Sequence, residues 1–106
     1  MDYILIMVTC ANKKEAEKIS SHLLEQRLIA CSNIVEHVNS IFHWEGSIDN
    51  ASEALVIMKS RRNLFQDIKK TVKEQHSYDV PEIIAFQIVD GDEDYLNWVA
   101  KETSNG

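Results

Sequence analysis

Six side chains in this 106-residue sequence could ligate a soft or borderline metal ion: Cys10, Cys31, His22, His37, His43 and His76. Copper favours such imidazole and thiolate donors. A local site would show them at ligand spacing, yet no Cys-x-x-Cys, His-x-His or His-x-x-x-His pattern occurs. His37 and His43 share the parity of an extended segment, but six residues of strand separate them by about 20 Å. A metal site must therefore be assembled by the fold or between copies of the chain. Cys31 taken alone fits a packing thiol. No nucleophile elbow, phosphate loop or zincin motif is present, and isolated cysteines and histidines make no dyad. The chain therefore reads as a binding protein and not as an enzyme. The acids Asp90, Asp92, Glu93 and Asp94 lack the spacing of an EF-hand. They suit the positive end of a helix instead.

These candidates need a scaffold, and the composition limits its size. At 106 residues, with 44% hydrophobic and 26% charged residues, the chain predicts a single domain over residues 1–106 with one core. A net charge of -6 repels phosphate backbones and excludes nucleic acid as a natural partner. No apolar stretch approaches the ~20 residues of a membrane helix, so no membrane partner is expected. Two cysteines are too few for a disulfide framework. The apolar run in residues 1–8 is too short for a signal peptide, and Asp2 stands where a positive charge belongs. A cytoplasmic location is the expectation.

Hydrophobic periodicity supplies the elements. Residues 3–8 form a continuous apolar run, as in a strand covered on both faces. Asn12, three residues before Glu15, predicts a helix cap, and Ala16, Ile19, Leu23 and Leu24 follow at helical spacing. Residues 31–44 read as a long strand with an irregularity. Gly46, Asp49 and Asn50 mark a turn, and residues 54–59 a second strand, together a β-hairpin. Leu64, Phe65, Ile68 and Val72 predict a second helix ending near His76. Pro81 marks the start of a strand over residues 83–89, and a short helix carries Tyr95, Leu96, Trp98 and Val99. The tail at residues 104–106 is expected to fray.

The order βαββαβ with a short C-terminal helix is the ferredoxin-like α+β sandwich. Its two main helices cover one face of the sheet. The other face keeps apolar side chains, and the last helix is too short to cover them, which predicts self-association. The long hairpin overhangs its neighbours and leaves backbone groups for another copy to pair.

Several segments together resemble the CutA divalent-cation tolerance family. They are Ile29-Ala30-Cys31-Ser32-Asn33-Ile34, Ser40-Ile41-Phe42-His43-Trp44-Glu45-Gly46, Met58-Lys59-Ser60, His76-Ser77-Tyr78-Asp79-Val80-Pro81-Glu82-Ile83-Ile84-Ala85 and Asp94-Tyr95-Leu96-Asn97-Trp98. The resemblance implies a ferredoxin-like homotrimer with a role in tolerance of divalent metals, including copper, and no catalysed reaction. Some relatives take copper through a cysteine late in the first strand and paired histidines before the tyrosine. Those positions here are Val8 and Gln75, with His76 retained. His76 and Cys31 are the expected metal ligands. Trp44, Glu45, Lys59, Tyr78 and Glu82, from the matching motifs, are expected to line a pocket at the subunit junction that takes a small ligand or a metal ion. The alternative expectation is a trimeric scaffold, or a small-ligand module similar in architecture to PII-type signalling proteins, with no metal role.

Overall fold

The structure, a computed structural model, describes residues 2–103. The first apolar run becomes strand β1 (Tyr3–Cys10), in which every second residue is buried. Helix α1 (Lys13–Glu25) opens on Asn12, whose side chain accepts the Glu15 amide N–H at 2.8 Å. It closes in a Schellman turn: Leu28 N–H bonds Leu23 O, Arg27 N–H bonds Leu24 O, and Arg27 takes φ 57°.

Strands β2 (Cys31–Trp44) and β3 (Ser47–Arg61) form a long antiparallel hairpin. The expected irregularity is a bulge between Val35 and Val38, where His37 adopts φ 60°. The turn is tighter than Asp49 and Asn50 suggested. It consists of Glu45 and Gly46 alone, at φ 48° and 82°, both left-handed as a two-residue I′ turn requires. Asp49 and Asn50 lie within β3, opposite Phe42 and Ile41. β3 is therefore much longer than residues 54–59.

A 3₁₀ turn (Arg62–Leu64) leads into α2 (Phe65–Gln75), which ends on His76. Strand β4 (Ile83–Gln87) is shorter than residues 83–89, and α3 (Glu93–Glu102) starts under an Asp92 cap that accepts the Tyr95 N–H at 3.0 Å. The expected fraying of residues 104–106 lies outside the described residues.

The sheet order is β2-β3-β1-β4, with every neighbour antiparallel, which is the ferredoxin-like arrangement. Ile4, Ile6 and Val8 of β1 and Ala54, Val56 and Met58 of β3 face the helices. There they meet Ala16, Ile19 and Leu23 of α1 and Ile68 and Val72 of α2 in one core. By register, Val35, Leu55, Ile57, Met7, Ile84 and Phe86 share the opposite face. Ile84 and Phe86 remain 43% and 51% exposed. Helix α3 meets this side only near one end, through Tyr95 and Cys31 and through Arg61 and Thr103. In a single chain this face is only partly covered: Val35, Ile84 and Phe86 are exposed, and Met7, Leu55 and Ile57 are half-buried.

Candidate functional site

Three chain segments converge at the end of β1. Cys10 is its last residue, paired with Ala54 of β3 and fully buried on the helical side. Glu15 stands in the first turn of α1. One carboxylate oxygen, Oε1, accepts the Ala11 N–H at 3.0 Å, one residue ahead of the usual capping-box partner. The other, Oε2, accepts the Ser77 N–H at 2.9 Å, tying the start of α1 to the loop after α2. His76 ends α2, its N–H on Val72 O, and its side chain is wholly enclosed.

Hydrogen bonds fix the His76 tautomer. Nδ1 accepts the Tyr78 amide N–H at 3.0 Å, so the proton sits on Nε2, which donates to the Thr9 carbonyl at 2.7 Å. The Tyr78 ring tilts against the imidazole at a centroid distance of 4.8 Å, and its hydroxyl donates to Glu53 Oε2 at 2.7 Å. Nε2 of His76 lies 4.0 Å from Glu15 Oε1. One ligand atom each from Cys10, Glu15 and His76 lies within 4.8 Å of the others, forming a thiol–carboxylate–imidazole cluster.

The local field is negative. Burial, then the charges of Glu15 and Glu53, push the Cys10 thiol up to about 12. Burial, the bond to Glu53 and nearby negative charge raise the Tyr78 phenol to about 12 as well. For Glu15, burial works upward, but hydrogen bonds from Ser77 and Ala11 and the neighbouring imidazole outweigh it, and its carboxyl lies below its ordinary value. A cavity of about 200 Å³ adjoins this cluster, sharing Ala11, Glu53 and Ala54 with the surroundings of Cys10. A larger groove of about 430 Å³ lies by β4, lined by Arg62, Phe65, Gln66 and Phe86, without acids or imidazoles.

The residues singled out in the sequence occupy three separate places within one chain. Trp44 and Glu45 form the hairpin tip, Trp44 opposite Ser47. Lys59 lies twelve residues farther along β3, roughly 40 Å away at ~3.3 Å per residue, and bonds Asn33 Oδ1. Tyr78 sits beside His76, and Glu82 is exposed ahead of β4. Cys31 Sγ is 3.3 Å from the Tyr95 hydroxyl, on the face opposite Cys10, so a single chain does not bring Cys31 to His76. Glu15 was legible only as a helix-capping acid. Its companions Cys10 and His76 are 66 positions apart, and no local spacing signals their meeting.

Residues 4–102 match the family described as CutA1 divalent ion tolerance protein. The chain belongs to that family. The divalent-cation tolerance protein CutA of Pyrococcus horikoshii is 42% identical over 100 residues, covering 94% of this chain and 97% of that one. The chloroplastic protein CutA of Arabidopsis thaliana is 37% identical over 102 residues, and the chain spans 56% of its length. The crystal structure of CutA1 from Oryza sativa superposes with a TM-score of 0.95 at 36% identity, over 97% of this chain and 94% of that one. CutA membership and the ferredoxin-like topology thus agree over nearly the whole chain.

Proposed function

We propose that this CutA chain acts as a homotrimer in tolerance of divalent cations, binding ions or a small ligand and catalysing no reaction. The observation that carries the reading is the open apolar sheet face in a member of a family named for divalent ion tolerance. Half-exposed Ile84 and Phe86 beside Leu5 and Met7 are unfavourable in water, at about 25 cal/mol for each Å² left uncovered. The stretch of β3 from Ser47 to Glu53 has no β1 partner, because β1 pairs only with Ala54 through Arg61. Further copies would cover the face and pair the overhang.

Assembly would also serve the expected pocket. Trp44 and Glu45 at one hairpin tip cannot meet Lys59 of their own chain, but a neighbour's Lys59, Tyr78 and Glu82 are available to them. Two unbridged thiols, Cys10 and Cys31, suit a reducing cytoplasm.

Sedimentation at micromolar concentration tests the assembly and should give three times the 12.2 kDa chain mass. Growth of a strain lacking the protein, with and without this chain, on copper, zinc or cadmium tests the role. A monomer would overturn the first half and unchanged metal sensitivity the second. A trimer without any metal effect would leave the scaffold or PII-like reading standing.

A further inference from the structure

We propose that Cys10, Glu15 and His76 form a site within each chain for a borderline-to-soft divalent cation, zinc or cadmium, with a fourth position left for water or a small ligand. The proposal rests on the ion-tolerance reading for its biological setting, but its geometry stands within one chain. The donor types match: a thiolate, a carboxylate and an imidazole suit zinc and its congeners better than calcium or magnesium. Charge matches too. A divalent ion with one thiolate and one carboxylate is neutral, which a buried site at the end of β1 requires.

The three ligand atoms already lie within 4.8 Å of one another, and tetrahedral zinc needs them roughly 3.5 Å apart at bond lengths near 2.0–2.3 Å. The site therefore closes by about an ångström.

Binding has a definite structural cost. Cys10 gives its proton to solvent and becomes the thiolate ligand. His76 must present the bare Nε2 lone pair, so its proton moves to Nδ1 and the bond to Thr9 O is lost. Nδ1–H then faces the Tyr78 N–H, donor against donor, and the turn from His76 to Tyr78 has to re-form. Metal occupancy is thereby coupled to Tyr78 and, through its hydroxyl, to Glu53 on β3. The ion-free arrangement is a closed state in which both ring nitrogens are engaged.

The test is cadmium titration of the full-length Cys31→Ser protein, which leaves Cys10 as the sole thiol. The readouts are the thiolate-to-cadmium charge-transfer absorption, calorimetry and the Tyr78 amide resonance. The expected result is a saturable band at one ion per chain, with the Tyr78 amide signal shifting in step. Adding Cys10→Ser abolishes the band, and adding Glu15→Gln or His76→Gln weakens binding by about tenfold or more. Circular dichroism checks each fold. Should Cys10→Ser fail to fold, Glu15→Gln decides, because its amide oxygen still accepts one of the two N–H groups, Ala11 or Ser77, that Glu15 binds. The absence of a saturable band from the Cys31→Ser protein overturns the site, as does a Tyr78 amide unmoved at saturation. Sedimentation and growth assays are independent of these outcomes, so a failed site in an intact, metal-protective trimer sinks this proposal alone.

Discussion

His76 shows how much one side chain can organise: it ends α2, reaches the Thr9 carbonyl of β1 and receives the Tyr78 amide. Around it, titration has a predictable sign. Cys10 loses its proton near 9.0 in the unfolded chain and at about 12 when folded. Between those values the folded chain holds a proton that the unfolded chain has released. Its stabilising effect is full below pH 9 and is lost as pH rises towards 12, at up to about 1.4 kcal/mol per pH unit. Tyr78 and Tyr95, raised from 10.0 to about 12, act in the same direction from pH 10 upward. Glu15 acts oppositely, its contribution fading as pH falls through its lowered folded value. Thermal melts from pH 7 to 10.5 should show a steepening decline above pH 9 that Cys10→Ala lessens; a flat profile would refute the assignment. Gln75 offers a second residue-scale prediction. Its Oε1 is buried without a hydrogen-bond partner among the described residues, an arrangement that costs about 1–3 kcal/mol. Gln75→Leu should raise Tm, and a lower Tm would mean that a donor outside the described residues serves this oxygen.

Elements were legible where chemistry is local. Asn12 and Asp92 cap α1 and α3 as their types and positions indicate. The hairpin turn was drawn too wide, although Gly46 does lie in it, because Asp49 and Asn50 are turn formers by type. Here they sit in the overhang of a long ribbon, where pairing with Phe42 and Ile41 overrides their preference. The cluster at Cys10 was not legible as a unit, since three separate elements create it. The turn itself invites a stability test. Glu45 holds φ 48° with a side chain that pays for the left-handed region, whereas Asn is favoured there ahead of Gly46. Glu45→Asn should stabilise the hairpin by roughly 0.5–1 kcal/mol in chemical denaturation. Gly46→Ala, at φ 82°, should destabilise by a similar or larger amount. If both variants match the parent, the turn contributes nothing that depends on its backbone angles.

At the scale of the molecule, the deciding feature is a sheet with two apolar faces and helices for one. The 44 Å long axis of so small a chain reflects a hairpin that reaches well past its own core. Folding within the chain and the proposed assembly between chains would therefore draw on different residues, and substitutions should separate them. Ile84 lies on the open face in register with Met7, is 43% exposed, and takes no part in the helical-side core. An aspartate there stays hydrated in a lone chain but would be buried without a partner at a packed interface, a penalty of several kcal/mol. Ile84→Asp should thus lower the sedimenting mass to that of one chain, or render assembly strongly concentration-dependent, while far-ultraviolet circular dichroism stays native-like. Met58→Asp, at 0% exposure on the helical side, should instead abolish the fold itself. An Ile84→Asp protein that sediments as a trimer at nanomolar concentration would show that this face is not the one copies share. The overhanging hairpin would then have to carry the assembly alone, through backbone pairing and the exposed Trp44 and Ile48 at its tip.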